Sequence, residues 1–195
     1  MFSDYLKRKD NIIIAAIDLL DEVGIQGMTT KEIARRQNIT EPAIYKQFSG
    51  KKEIILAMLN KFSDFDHSLY NTIIEQNMEC IKGIRYFLST FADYYQTYPQ
   101  LATIMLSYDL YRYDLETNEK MKNIIYGRHK LIGNIIEKGQ LTGEFKKTIS
   151  KDDASEIILG VLHSAIYNWK LENSNYSLNK KISGILDHII SDWSC

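Results

Sequence analysis

TTKEIARRQNITEPAIYKQFSGK, residues 29–51, is the stretch on which the reading of this chain turns. Thr29-Thr30-Lys31-Glu32 opens a short helix. A threonine three residues ahead of a glutamate matches a capping box, with Thr29 as the cap or Thr30 in its place. Ile33 and Ala34 form the inward face of that helix. Asn38 follows, and asparagine tolerates the left-handed backbone of a tight turn. Thr40 caps a second short helix, with Pro42 in its first turn, where a missing N–H costs nothing. Ile44 and Phe48 make its apolar stripe, and Ser49-Gly50 stops it. Short helix, three-residue turn, short helix is the helix-turn-helix pattern. The second helix is short enough to enter a major groove with a polar outward face.

Working outward, helical periodicity continues in both directions. Ile12, Ile13, Ala16, Leu19, Leu20 and Val23 recur at three- and four-residue steps over residues 8–23, and Gly24 fits a left-handed cap after them. A fourth helix is predicted over 51–76, with Ile54, Ile55, Met58, Leu59, Phe62, Leu69, Ile73 and Ile74 as its apolar positions. Further helices are predicted over 80–97, 99–113, 117–139, 152–171 and 179–192. No stretch reads as a strand, so the fold class is all-α with about nine helices. Only Pro42 and Pro99 interrupt a chain of 195 residues that is 45% hydrophobic and 25% charged. Such a chain buries a real core without staples and is not disordered.

The net charge of −1 argues against nucleic acid as a partner when taken over the whole chain. Locally it does not. Residues 31–62 hold seven basic residues, Lys31, Arg35, Arg36, Lys46, Lys51, Lys52 and Lys61, against Glu32, Glu41 and Glu53, a net +4. Lys7, Arg8 and Lys9 lie just ahead of the first helix. Lys51 stands at a helix start, where the dipole alone disfavours it, which points to an anionic partner.

Chemistry-bearing constellations are missing. Cys80 and Cys195 form no CxxC pair and no metal-ligand spacing, and His67, His129, His163 and His188 are scattered. There is no nucleophile elbow and no glycine-rich phosphate loop. No catalytic residue, metal or cofactor is therefore expected, and the chain is not expected to be an enzyme. No apolar run approaches the ~18 residues of a spanning helix, and the N-terminal MFSDYLKRKD lacks the apolar core of a signal peptide. The expectation is a cytoplasmic protein that does not enter a membrane.

Residues 12–60 resemble the N-terminal DNA-binding domain of the TetR/AcrR family of transcriptional regulators. The resemblance rests on Gly24, Thr29-Thr30, Ile33-Ala34, Thr40, Tyr45, Phe48 and Lys51 at the family's spacing. One departure is Asn38, where the family usually has glycine. The resemblance implies a DNA-binding domain over 1–50 and a helical effector-binding and dimerisation domain over 51–195. It implies base-facing roles for Glu41, Pro42, Ala43, Lys46 and Gln47, and phosphate contacts from Thr30, Lys31, Thr40, Tyr45 and Lys51. Each role has a physical reason in hydroxyls, amides and lysines near phosphate, or in apolar contact with thymine methyls. Plainer readings stand beside them: Pro42 starts a helix, Tyr45 fills core, and Glu41 favours the helix dipole.

Two features mark the remaining two-thirds. Ile158, Val161, Leu162, Ala165 and Trp169, then Ile182, Ile185 and Ile189, give the last two helices wide apolar faces. The resemblance implies a four-helix interface there, two helices from each protomer of a homodimer. The second feature is aromatic density: Phe87, Phe91, Tyr94, Tyr95, Tyr98 and Tyr108, with Met105, Tyr126 and Tyr167. Read one way this is packed core; read the other way it is a pocket for a small apolar or aromatic effector. The functional expectation is a repressor released from a palindromic double-stranded DNA operator by such an effector, the 51–76 helix acting as connector. The alternative is a DNA-binding regulator with a packed interior and no effector, controlled by oligomerisation or a protein partner.

Overall fold

The computed structural model describes residues 2–195, with the side chains of residues 7–195. Nine α-helices are found among the described residues: α1 (Phe2–Gly27), α2 (Thr30–Arg36), α3 (Glu41–Tyr45), α4 (Lys51–Glu75), α5 (Cys80–Thr97), α6 (Leu101–Leu106), α7 (Leu115–Thr142), α8 (Lys151–Leu171) and α9 (Leu178–Trp193). Extended pairing there amounts to one isolated antiparallel bridge, Phe145 with Ser194. None of these helices is long and apolar enough to cross a membrane. The chain packs as two units, Met1–Ser63 with Thr103–Lys122, and Asp64–Ala102 with Asn123–Cys195.

In the first unit the apolar stripe of α1 is buried at Ile12, Ile13, Ala16, Leu19 and Leu20. Val23 is not part of it and stands 53% exposed. Gly24 follows it, with a φ of 69° and a ψ of −179° that interrupt the helix. That conformation is open essentially only to glycine. Its positive φ agrees with the predicted cap, but the extended ψ lets the chain resume one more turn before Thr29. Met28, Ile33, Ile44, Phe48, Ile54 and Met58 close this core.

The helix predicted over 99–113 breaks after Leu106. A 3-10 turn occupies Tyr108–Leu110. Asp114 then starts α7 by accepting from the backbone N–H groups of Glu116 and Thr117, each at 3.1 Å. An aspartate cap competes with helix continuation because its carboxylate satisfies two amides that the helix leaves open.

In the second unit α5 buries Ile84, Phe87, Leu88, Phe91, Ala92 and Tyr95 at helical spacing. α8 buries Ala154, Ile158, Leu162, Ala165, Ile166 and Trp169. α9 buries Leu178, Ile182, Leu186 and Ile190. An ion pair lies inside this core. Arg128 donates to both carboxylate oxygens of Asp66, Nε to Oδ2 at 2.8 Å and Nη2 to Oδ1 at 2.9 Å. Its guanidinium also lies over the Phe91 ring, 4.4 Å from the centroid. Burial pushes the Asp66 carboxyl upward while Arg128 pulls it down. The net direction for Asp66 is upward, and the two-bond geometry opposes it.

Removing one partner leaves the other charge buried and alone. Arg128→Met is expected to lower unfolding free energy by about 3–5 kcal/mol. Adding Asp66→Leu to it should restore most of the loss, because paired apolar side chains replace a buried ion pair at little cost. Urea unfolding of the two variants checks this; a double variant no more stable than the single one contradicts it.

Candidate nucleic-acid interface

The turn and its flanking helices form as their local chemistry dictates. The Thr29 hydroxyl accepts from the Glu32 N–H at 3.1 Å, so Thr29 and not Thr30 caps α2. The Glu32 carboxylate turns to the guanidinium of Arg35, with contacts from 2.5 to 3.0 Å. That pair holds Glu32 below the usual carboxylate range, its hydrogen bond to Arg35 being the main cause. α2 ends at a left-handed Asn38, φ 54°, with Ile39 N–H donating to the Ala34 carbonyl at 3.0 Å.

Freed from capping, the Thr30 hydroxyl donates to Glu41 Oε1 at 2.6 Å and lies 3.4 Å from the Tyr45 hydroxyl. One residue of α2 is thus tied to both ends of α3. Ile44 and Phe48 anchor the opposite side of α3 in the core. The exposed side then presents Thr40, Pro42, Tyr45 and Lys46, with Ala43 and Gln47 half-buried. Gln47 Oε1 is buried without a hydrogen-bond partner. Thr40 makes no side-chain cap.

The basic residues divide sharply. Arg35 pairs with Glu32, Arg36 with Glu22 at 2.6 Å, Lys61 with Asp10 at 2.8 Å, and Lys52 with Asp114 and Glu116 at 3.1 and 2.9 Å. The Lys51 ammonium donates to the carbonyl of Ile25, and its partial burial lowers its pKa. One of its three donors is thus taken by a backbone carbonyl in the last turn of α1. Lys31 and Lys46 are exposed and make no ion pair among the described residues. They flank the exposed surface of α2 and α3.

The proposed effector residues differ widely in burial. Phe87, Phe91 and Tyr95 are wholly buried and pack on their neighbours: Phe87 on Phe91 at 4.8 Å, and Phe91 on Phe65 at 5.2 Å. Tyr94 stacks on Phe65 at 3.9 Å, and burial pushes its phenol up to about 12. Tyr98 and Met105 are half-buried. Tyr108, Tyr126 and Tyr167 are exposed, 60%, 65% and 50%. Helical phase explains the last two: each lies on the side of its helix away from the stripe that packs.

The same phase divides the proposed dimer face. Ile158, Leu162, Ala165, Trp169 and Ile182 are buried inside this chain, so they are its own core and not a surface for a second copy. Val161, Ile185 and Ile189 are half-exposed. Beside them Ile157, Tyr167 and Leu171 are exposed, which the sequence pattern did not separate from the inward stripe.

No catalytic group emerges. His129 Nδ1 lies 3.0 Å from the Ser155 hydroxyl, and its Nε2 lies 3.3 Å from Glu156. Ser155 is buried and donates to the Asp152 carbonyl of its own helix, so its oxygen is not presented to a substrate. Among the described residues no group of His, Cys, Asp and Glu has the arrangement of a metal site.

Comparison with known proteins agrees with the geometry. Residues 12–58 match the family model described as bacterial regulatory proteins, tetR family. Residues 60–193 match that described as YsiA-like protein, C-terminal region. The chain is 23% identical over 181 residues, 92% of either protein, to the fatty acid metabolism regulator protein of Bacillus subtilis (strain 168). It is 36% identical over 59 residues to the class A tetracycline repressor protein from transposon 1721 of Escherichia coli, covering 30% of this chain and 27% of that one. Its fold superposes on the transcriptional regulator FadR from Bacillus subtilis, solved in complex with stearoyl-CoA. The TM-score is 0.80 and the identity 21%, over 93% of this chain and 97% of that one.

Lys51→Met should act on stability before it acts on any ligand. Loss of its bond to Ile25 is expected to cost about 1–2 kcal/mol of unfolding free energy with no DNA present. Lys46→Met, which loses no bond, should leave the urea midpoint unchanged.

Proposed function

The chain belongs to the tetR family of bacterial regulatory proteins, and from that premise we propose that it is a homodimeric repressor that leaves a palindromic operator when a small apolar effector binds. It is a DNA-binding transcriptional regulator and not an enzyme. Residues 1–50 read DNA and residues 51–195 sense and dimerise, in the cytoplasm where the operator is.

The observation that carries this reading is the surface of α2 and α3. Pro42 and Ala43 meet base edges by apolar contact, and Lys46 and Gln47 by hydrogen bonding. Thr40, Lys31 and the Tyr45 hydroxyl take phosphate oxygens. Glu41 is held by Thr30, so it fixes α3 instead of reading cytosine. Thr30 and Lys51 hold the reading helix in place.

Two reading helices must stand ~34–36 Å apart to enter successive major grooves, and one chain supplies one. The outer stripe of α8 and α9, Ile157, Val161, Leu171, Ile185 and Ile189, supports the pairing. Gly160, Ser164 and Gly184 are exposed along it and allow two helices to approach closely. The full-length likeness to a regulator solved with stearoyl-CoA supports an effector with an apolar chain. α4 runs unbroken from Lys51 to Glu75, so a shift near Ile73 is carried toward Lys51. The effector must favour one setting of α4 over the other. The filled aromatic cluster favours a second reading, in which the interior stays packed and oligomerisation or a protein partner sets activity.

Selection from a random DNA pool should return a palindrome with half-sites one helical turn apart. Lys31→Ala should weaken binding to all sequences and reduce the salt slope by about one. Val161→Asp with Ile185→Asp should yield a folded monomer that no longer binds the operator. A monomer binding as tightly as the unaltered protein overturns the dimeric reading.

A further inference from the structure

A cavity of about 250 Å³ opens between the end of α4, the start of α5 and the second half of α7. Its base is Ile73, Met78, Leu131 and Ile135, all buried. Its rim is polar: Asn77, Asn134 and Lys138, all exposed. None of the effector positions drawn from aromatic density lies in it.

Gly83 is part of the wall, in the first turns of α5. A glycine inside a helix costs stability relative to alanine. Here no crowding requires it. A Cβ built on Gly83 meets Ile135 Cδ1 and Ile73 Cγ2 at 3.6 Å, which is ordinary contact. The space that a side chain would take at Gly83 is the cavity itself. The glycine keeps it open.

The rim tells what chemistry fits. Asn77 is held in a left-handed conformation, φ 43°, by the turn that ends α4. Its Oδ1 accepts from Lys138 Nζ at 3.0 Å. With that oxygen used, the Asn77 amide N–H₂ and the remaining ammonium hydrogens of Lys138 are donors at the mouth. Lys138 is the one charged residue of the lining. The nearby Glu144 carboxylate is committed to the N–H groups of Cys80 and Ile81, at 2.9 and 3.3 Å. Cys80 has its thiol pushed up to about 11, chiefly by burial, and stays protonated. The base is apolar, and the mouth is donor-rich and cationic.

We infer that this cavity binds a small amphiphilic carboxylate, its hydrocarbon body on Ile73, Leu131 and Ile135 and its carboxylate on Lys138 and Asn77. At roughly 30 Å³ for a group the size of a water molecule, the space holds a body on the order of eight non-hydrogen atoms. The inference rests on the reading that the chain answers to an effector, and it places that effector against the last turns of α4.

The test is calorimetric titration of the full chain with octanoate, octanol and octylamine, repeated on Gly83→Ala, Gly83→Leu and Lys138→Met. Octanoate should bind once per chain, at least ten-fold tighter than octanol, and octylamine should not bind. Gly83→Ala should raise Tm and weaken octanoate. Gly83→Leu should weaken it ten-fold or more, and Lys138→Met should make octanoate and octanol equal. If Gly83→Leu does not fold, Gly83→Ala and Lys138→Met decide. Absent binding, equal affinity in the Gly83 variants, or preference for octylamine overturns the site. Operator binding is read on the same samples. Octanoate that binds through Gly83 without releasing DNA supports the site and overturns the effector reading. Release that persists when Gly83 is filled overturns the site.

Discussion

Helix α3 has five residues, and a helix that short does not stand by itself in water. Yet it is the element whose exposed side has to be presented in one orientation. Everything around it supplies what its own hydrogen bonds cannot. Ile44 and Phe48 bury one side, and Thr30 grips Glu41 and reaches the Tyr45 hydroxyl from the other. Lys51, at the start of α4, reaches back to the Ile25 carbonyl left open where α1 breaks. Residues that look like a row of DNA contacts in sequence divide in space into those that hold α3 and those left over for a ligand.

Charge shows the same division. A net +4 over residues 31–62 counts residues by position in the chain, and much of it is answered by acids from outside that window: Glu22, Asp10, Asp114 and Glu116. Exposed pairs of this kind contribute little stability. Their consequence is electrostatic: they leave Lys31 and Lys46 as the uncommitted cations on the surface of α2 and α3. A local sum is thus a guide to where nucleic acid meets a chain, while the pairing decides which lysines meet it.

Local rules made most of the helical plan legible. Gly24, Thr29, Asn38 and Pro42 each mark a boundary through their own backbone or side-chain chemistry, and they are where the structure puts boundaries. The break at Ser107 has no glycine or proline to announce it, so the 99–113 pattern read as one helix. Capping by Asp114 was the only signal there. The domain of long helices was harder, because α8 is apolar on two faces. Periodicity finds a stripe but not which stripe looks inward, and five of the eight proposed interface residues proved to be core. The aromatic run posed a related question: density of large side chains marks either a filled space or an empty one, and composition does not distinguish them. Gly83 was the better sign of empty space, since a glycine set in an apolar helix stripe removes volume without a turn to justify it.

Asp66 and Arg128 were also visible in principle. Asp66 falls between Phe62, Leu69 and Ile73 in the inward phase of α4, and Arg128 falls between Ile124 and Ile132 in that of α7. A charge in an apolar stripe asks for a partner of opposite sign in another. Such a pair is a poor way to gain stability, because apolar side chains of the same volume do as well. What it adds is direction. Two parallel hydrogen bonds from a rigid guanidinium fix both the rotation and the sliding of α4 against α7, which methyl groups do not. Further along the same two helices, Ile73 and Leu131 line the cavity beside Gly83. The seam between α4 and α7 is therefore pinned at one point and yielding at another. α4 is thus fixed against α7 at Asp66 and has open space beside it at Ile73.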